Sequence, residues 1–353
     1  MDKRATEPAP GRAEPTGRPP PAETGGRPPP AETGSRPPPA ETGGDPILWA
    51  AWLYYGEDLT QNEVAHALGV SRTTVANHLA EARRRGRVRI ELDPELLAQV
   101  SLGRRLAGRH GLDGAFVVPA EGAEDAGALR RRLGAAAAQA LAPHLADGAT
   151  IGVAWGRTML ELARALPAMA LPRAEIVQLS GSSLGDAATS PEACTVLIAG
   201  RLGARCRNFH APAVVTSRAL AEALLAEPAL DRHFRRLAAC TVALFGVGEL
   251  GPGTVWSDTD FLPPSVVEDY VAAGGAGVLI GRFLDRTGRE LDGPLAGRQI
   301  GLALDALGAI PTRVCVAGGP AKVEAIRAAL AGGYVTHLVT DAPTARALME
   351  EAS

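Results

Sequence analysis

Apolar residues follow one rhythm through most of the chain. From residue 112 onward, short apolar runs alternate with Ala- and Leu-rich segments of helical length. The runs are AFVVP at 115, TIGVA at 150, EIVQL at 175, TVALFGVG at 241, GVLIG at 277, RVCVAGG at 313 and HLVTD at 337. Strands that are apolar throughout, with helices between them, are typical of a parallel sheet covered on both faces. The pattern predicts a doubly wound, mostly parallel α/β domain over residues 96–353.

The residues before this domain follow a helical rhythm. Residues 47–55, ILWAAWLYY, predict a first helix. Three of its aromatic residues recur at three-residue steps and are expected to face a core: Trp49, Trp52 and Tyr55. Residues 87–92, RVRIEL, alternate polar and apolar side chains, which predicts the wing strand of a winged helix. Residues 94–110 predict a further helix, which could join two domains or pair with another subunit.

Residues 59–90 have the layout of a helix-turn-helix, within a predicted DNA-binding domain over 45–95. Thr60 and Glu63 have the spacing of a capping box, and Gly69 ends that helix. A second helix then begins after Ser71. Its outward face carries side chains that can hydrogen-bond to base edges or phosphates in a major groove. The predicted DNA contacts are Ser71, Arg72, Thr73, Thr74, Asn77, His78, Arg83, Arg84 and Arg85.

Charge supports this assignment because it is concentrated in one place. Between Ser71 and Ile90 there are six arginines and one acid, whereas the whole chain has a net charge of −3. A solvated basic hairpin would not require the cap, the turn and the charge to coincide. The pattern therefore indicates a double-stranded DNA operator as a partner.

Residues 1–44 differ in composition from the rest. The nonapeptide RPPPAETGG occurs at 18–26 and again at 36–44, with RPPPAETGS between them at 27–35. Three prolines per repeat and no large apolar side chain predict an extended, disordered tail. A solubilising segment and a ligand for a proline-binding module both fit this composition.

Several other classes of protein are disfavoured. The four cysteines are scattered without a C-x-x-C pair, and the seven histidines show no metal-ligand spacing, so neither a metal nor a cofactor is expected. No apolar run is long enough to cross a membrane, and the start of the chain lacks the layout of a signal peptide. We expect a cytoplasmic protein.

Two strand–helix loops carry candidate anion-binding chemistry. The first runs from Gly152 through Gly156, Arg157 and Thr158 into a helical segment, and its glycines would let a backbone approach an anion. Such a turn can equally be tight packing. It is not a Walker loop, since no Gly-Lys-Ser/Thr sequence follows.

The second loop contains Gly318, Gly319 and Lys322 before the helical segment VEAIRAAL. A lysine at a helix start opposes the helix dipole, and a bound anion would reverse that effect. The alternative is a surface lysine in solvent. A third loop, with Gly246 and Gly248, ends the most apolar run and could close the pocket or be purely structural.

The chain from about 47 to 350 resembles the SorC family of sugar-binding transcriptional regulators. The resemblance rests on the helix-turn-helix run, IGVAWGRTML, FHAPAVV at 209, FGVGEL at 245, GRFLDRTGREL at 281 and VCVAGGPAKVEAIRAAL near 315. It implies an effector domain related to sugar-phosphate isomerases and deaminases, which binds a sugar or phosphosugar and controls carbohydrate-metabolism genes. It also implies a homo-oligomer, a dimer or tetramer.

The resemblance implies roles for particular residues. Gly156, Arg157 and Thr158 would hold the phosphate, and Lys322 would meet the ligand anion. Gly246 and Gly248 would line the pocket. The full set of predicted effector contacts is Gly152, Gly156, Arg157, Thr158, Gly246, Gly248, Gly318, Gly319 and Lys322. The chain departs from the family at Val278, where an acidic residue is usual, and this puts the hydroxyl pattern of the effector in question.

The alternative function is a sugar-phosphate isomerase- or deaminase-like enzyme fused to a DNA-binding domain. The related deaminases carry an Asp followed closely by Gly-His after their Gly-x-Gly strand, whereas here Gly248-Glu249-Leu-Gly-Pro-Gly has no histidine nearby. Glu249 or Asp258 could supply a carboxylate to a pocket. We therefore expect no catalytic residue and favour a regulator. An architectural DNA binder would respond to no small molecule.

Overall fold

The computed structural model describes residues 44–90, 93–119, 125–182, 190–250 and 262–350. The predicted tail, up to residue 43, lies outside them. The chain divides into two compact units, Met1–Glu91 and Leu92–Ser353. This division lies four residues before the one assigned from the sequence. Each unit has its own hydrophobic core.

The described part of the first unit contains three helices, α1 (Pro46–Tyr55), α2 (Gln61–Leu68) and α3 (Arg72–Arg84). The predicted signals between them are present. Thr60 and Glu63 form the capping box of α2, and Gly69 ends that helix in the left-handed conformation with φ +64°. Ser71 caps α3 by accepting a hydrogen bond from the Thr74 amide at 3.1 Å. The helix-turn-helix prediction is confirmed.

Two details of this unit were predicted wrongly. The aromatic stripe of α1 is one: Trp49 is 7% exposed, but Trp52 is 55% and Tyr55 is 39% exposed. A three-residue step rotates about 60° away from the starting face with each repeat, so the stripe leaves the core. Leu53, one turn on from Trp49, is buried in its place.

The wing strand is the other. Residues 87–90 form no strand, and residues 91–92 lie outside the described ranges. The amides of Arg87 and Val88 both donate to the carbonyl of Ala82, at 2.9 and 3.2 Å, closing the end of α3. Backbone donors used in this way are not available to a strand ladder.

The second unit contains ten described strands. They are β1 (Gly114–Val118), β2 (Thr150–Val153), β3 (Glu175–Gln178), β4 (Arg205–Arg207), β5 (Val242–Phe245), β6 (Val247–Gly248), β7 (Gly275–Leu279), β8 (Arg282–Asp285), β9 (Thr312–Val316) and β10 (His337–Asp341). Seven form a parallel sheet in the order β1-β10-β9-β5-β2-β3-β4, and β6-β7-β8 form a small antiparallel sheet. The doubly wound α/β prediction is confirmed.

Helices connect and cover these strands. They are α4 (Pro94–His110), α5 (Ala126–Leu141), α6 (Arg157–Ala165), α7 (Pro191–Leu202), α8 (Arg218–Leu225), α9 (Pro228–Ala238), α10 (Pro264–Ala272), α11 (Leu304–Gly308), α12 (Val323–Ala331) and α13 (Ala342–Met349). Within the described residues, no helix is long and apolar enough to cross a membrane.

The apolar runs are explained by two cores, one on each face of the large sheet. In β5, Val242 and Leu244 belong to one core cluster, whereas Ala243 and Phe245 belong to the other. All four are buried, so the strand has no polar face.

The sheet order places a crevice at one point. β2 and β5 are neighbours, yet the chain continues from β2 towards β3 and β4 and from β5 towards β9 on the opposite side. Loops that leave adjacent strand ends in opposite directions open a crevice beyond the carboxyl ends of those strands. The loops after β2 and β5 are two of the three that the sequence singled out.

Candidate functional site

A cavity of about 110 Å³ lies at this crevice. Its walls are the segment 154–159 after β2, the segment 246–249 after β5, and the turn that joins β7 to β8. Arg130 of α5 and Lys322, at the start of α12, complete the lining. Elements from both sheets therefore meet around one space.

The start of α6 forms one wall. Gly156 precedes the helix with φ +117°, a conformation that L side chains rarely adopt, and an added Cβ would find open space. No side chain in the described ranges caps this helix. Its first amides and the positive end of its dipole are suited to an anion, with Arg157 and Thr158 beside them.

Three cationic side chains line the cavity: Arg130, Arg157 and Lys322. Burial and the charge of Arg157 lower the pKa of Arg130. Two guanidinium groups that repel one another at the edge of a cavity gain from an anion bound between them. Arg130 was not predicted as a site residue, because α5 is distant in sequence from every glycine loop.

The side chain of Lys322 binds two groups in the segment after β5. Its ammonium group donates to the carbonyl of Val247 at 2.7 Å and forms an ion pair with Glu249. Both side chains are mostly buried. Burial raises the pKa of Glu249, but the charge and hydrogen bond of Lys322, with the charge of Arg157, lower it further, so the pKa lies below its usual value. The interpretation of Lys322 as a solvated surface lysine is wrong.

The structure brings six of the nine predicted effector residues together in this lining: Gly156, Arg157, Thr158, Gly246, Gly248 and Lys322. The other three are absent from the described lining. A Cβ at Gly152 would overlap the side chain of Leu179, and one at Gly318 would overlap the carboxylate of Asp341. The amide of Gly319 is already bonded to Asp341 and Thr344, at 2.7 and 2.8 Å. These glycines serve packing and turn geometry.

Val278 lines the cavity, as the departure from the family pattern led us to expect. Glu249, noted only as a candidate catalytic acid, lines it too. Trp155 and Ile280 were missed, although Trp155 lies within the predicted loop. Asp258 lies outside the described residues.

Ile280 has an unusual backbone. It occupies the two-residue turn between β7 and β8 with φ +45°, followed by Gly281 with φ +89°. Turns of this kind favour Asn or Gly at the first position, and a β-branched residue there is strained by about 1–3 kcal/mol. The side chain is nevertheless buried and lines the cavity. Strain of this size at a pocket wall is characteristic of a functional position.

The outward face predicted for α3 is only partly exposed, and its contact with DNA stays a prediction. Arg72, Thr73 and Asn77 are exposed, whereas Thr74 and His78 are half-buried. The hydroxyl groups of Ser71 and Thr74 lie 2.9 Å apart and hydrogen-bond to each other. Ser71 and Thr74 therefore help to cap the start of α3.

The arginines at the end of α3 have protein partners. Arg83 donates to the hydroxyl of Tyr55 at 3.1 Å. Arg84 and Arg85 both pair with Glu81, and their hydrogen bonds hold the pKa of that carboxyl below its usual range. One acid thus compensates part of the basic patch.

Both units match known families. A profile of a sugar-binding domain family matches residues 95–350, and a profile of sigma-70 region 4 matches residues 52–87. The transcriptional regulator YjhU of Escherichia coli (strain K12) is 33% identical over 309 residues, which span 86% of this chain and 94% of YjhU. The chain belongs to the SorC family of sugar-binding transcriptional regulators.

Two further regulators are similar to this chain over most of its length. The erythritol catabolism regulatory protein EryD of Brucella abortus (strain 2308) is 29% identical, over 85% of this chain and 95% of EryD. The full-length sorbitol operon regulator SorC from Klebsiella pneumoniae has the same fold, with a TM-score of 0.69 and 26% identity over 86% of this chain and 98% of SorC. This SorC-family chain is a transcriptional regulator with a DNA-binding unit and a sugar-binding unit.

Proposed function

We propose that a phosphorylated sugar or polyol binds in the cavity beyond the carboxyl ends of β2 and β5 and modulates operator binding by α3. The observation that carries this proposal is the charge of the cavity: Arg130, Arg157 and Lys322 face one carboxylate, Glu249. A phosphate dianion would offset that excess of positive charge and accept hydrogen bonds from the start of α6.

The organic part of the effector would lie against the loop after β5 and the β7–β8 turn. Two relatives are named for polyols, erythritol and sorbitol, which makes polyol phosphates the first compounds to examine. Val278 offers no hydrogen bond at this wall. A hydroxyl buried against it without another partner would weaken binding by about 1–3 kcal/mol, so we infer that the effector presents an apolar edge there.

Operator binding requires more than one copy of the DNA-binding unit. The basic patch on α3 is small, and Glu81 offsets part of it. Phosphate contacts supply most of the affinity of such proteins, so a single patch gives weak binding at physiological salt. We infer a dimer or larger assembly on a palindromic or tandem operator.

A catalytic role has less support from the same cavity. Isomerisation or deamination of a sugar phosphate needs a base positioned to move a proton between carbons. Glu249, the carboxylate in the described lining, is paired with Lys322, and no histidine occurs among the described lining residues. The relatives are named as regulators.

The test combines selection of DNA with a ligand panel. Operator sequences are selected from random DNA with the full chain, and affinity is then measured by fluorescence anisotropy. The panel contains erythritol 4-phosphate, sorbitol 6-phosphate, ribose 5-phosphate, glucose 6-phosphate and glycerol 3-phosphate, each beside its unphosphorylated form. We expect one phosphorylated member to raise the melting temperature and change operator affinity, without turnover by NMR. Turnover, or no response to any member, would contradict the proposal.

A further inference from the structure

A second, smaller cavity lies directly beside the first. Its volume is about 20 Å³, and it shares three lining residues with the larger cavity: Trp155, Ile280 and Gly281. These shared residues form the partition between the two spaces. A volume of this size holds roughly one water-sized group.

The far side of this small cavity is polar. Ser180 lies just beyond the carboxyl end of β3 and lines the cavity with Arg282 and Gln299. The Ser180 residue is 4% exposed, and its hydroxyl is buried without a hydrogen-bond partner in the part of the chain that the structure describes. A buried hydroxyl without a partner is unfavourable, and such groups in native proteins generally meet a ligand or a water.

The other polar side chains of this wall are already held in place. Arg282 donates to Glu290 at 3.0 Å and to the side-chain oxygen of Gln299 at 3.4 Å. Gln299 in turn donates to the carbonyl of Gly281, in the strained turn, at 2.5 Å. Arg282 and Gln299 therefore both have partners, whereas the hydroxyl of Ser180 has none among the described residues.

We propose that the small cavity is a subsite for a single hydroxyl group of the effector, at the end remote from the phosphate. This inference rests on the proposed function and deepens it. The phosphate would occupy the cationic end at α6, the carbon chain would pass Val278 and Ile280, and one terminal hydroxyl would hydrogen-bond to Ser180. The effector class is then a phosphorylated sugar or polyol with a free hydroxyl at its distal end.

The strained turn fixes the position of Ile280, which lies between the two cavities. Ile280 is held with φ +45° by a turn whose carbonyl at Gly281 is anchored by Gln299. The side chain lines both cavities, so an effector that extends from one to the other would pass beside it. Ile280 is accordingly the specificity-determining residue of the partition, and Ser180 is the residue that contacts the ligand.

The experiment compares Ser180→Ala with Thr340→Val. Thr340 in β10 also carries a buried hydroxyl without a partner in the described ranges, but it lines neither cavity, so it controls for the loss of such a hydroxyl. The full chain and both variants are titrated calorimetrically with the five phosphorylated compounds of the panel. Each compound is paired with its analogue lacking the hydroxyl most distant from the phosphate.

For the compound that binds the unmodified chain most tightly, we expect its distal deoxy analogue to bind about tenfold more weakly. Ser180→Ala should weaken the hydroxylated compound by about the same factor and abolish the preference between the pair. Thr340→Val should preserve the preference. If Ser180→Ala retains it, the subsite is wrong while the proposed function stands. If no phosphorylated compound binds the unmodified chain, the proposed function fails and the subsite fails with it.

Discussion

At the scale of single residues, the ion pair of Lys322 and Glu249 spans the cavity from α12 to the loop after β5. Glu249 has a folded-state pKa below its usual value of 4.5. A carboxyl group of this kind stabilises the folded state above the pKa it has when unfolded. That stabilisation is lost as the pH falls through the lower, folded-state pKa.

Glu249→Gln should therefore lower the free energy of unfolding by about 1–3 kcal/mol at pH 7, because a charge-assisted hydrogen bond to a mostly buried ammonium group is weakened. Urea denaturation of both proteins between pH 7 and pH 3 is the measurement. The difference between them should shrink as the pH drops below about 4.5, the usual value for this carboxyl. A difference independent of pH would show that the ion pair does not stabilise the fold.

Arg130 provides a second test at this scale, because the sequence did not indicate it. Arg130→Met should weaken a bound phosphate compound about tenfold, since one charge-assisted contact is lost. Arg131→Met is the matched control: it is the neighbouring residue of α5, it is exposed, and it does not line the cavity. The affinities of both variants for inorganic phosphate and for the best-binding panel compound are measured by titration. Equal effects of the two substitutions would exclude a direct contact by Arg130.

At the scale of elements, α3 has two functional segments. Its first turns present Arg72, Thr73 and Asn77, whereas its last turn presents arginines that share Glu81. Side chains at the start of a recognition helix reach base edges, and charges at its end contact the phosphate backbone. Sequence specificity and overall affinity are therefore expected to separate along one helix.

Arg72→Ala should cost about 1–3 kcal/mol in binding to the selected operator if its guanidinium group reads a guanine, and much less in binding to random DNA. Anisotropy titrations with both DNAs measure the difference. Arg84→Ala should weaken both by a similar factor. Equal losses on the two DNAs for Arg72→Ala would assign it to the phosphate backbone.

Glu81→Gln should act in the opposite direction. The substitution frees Arg84 and Arg85 from their carboxylate partner, so binding to random DNA should strengthen and its salt dependence should steepen by about one unit. The slope of log affinity against log salt concentration is the measurement. An unchanged slope would mean that these arginines do not contact DNA.

At the scale of the whole molecule, the parts predicted correctly are those encoded locally. The capping box at Thr60 and the apolar run of β5 each depend on a few neighbouring residues. The prediction that Trp52 is buried was wrong because a three-residue step turns away from the core face of a helix. The prediction of a wing strand was wrong because the amides of Arg87 and Val88 bind the carbonyl of Ala82. β4 and β8 were not predicted, since RCR and RFLD are short and largely polar at their ends.

The cavity illustrates the same limit. The loops after β2 and β5 could be identified because glycines follow apolar strands, and they line the cavity. Arg130 and Ser180 could not be identified from the sequence. Their positions in the two cavities depend on how α5 packs against the sheet and where β3 ends within it. The glycines at 152 and 318 show the converse: a glycine near a strand end can serve close packing alone.

The burial of β5 on both faces has a consequence for engineering. A strand with no solvent-exposed side tolerates little change, so new ligand preferences must be introduced elsewhere in the cavity wall. Three side chains of that wall lie outside β5: Trp155 follows β2, Val278 belongs to β7, and Ile280 is in the turn after β7. A library randomised at these positions alone would leave the large parallel sheet and α3 untouched. It would be a compact starting point for biosensors that report new phosphorylated metabolites through the same operator.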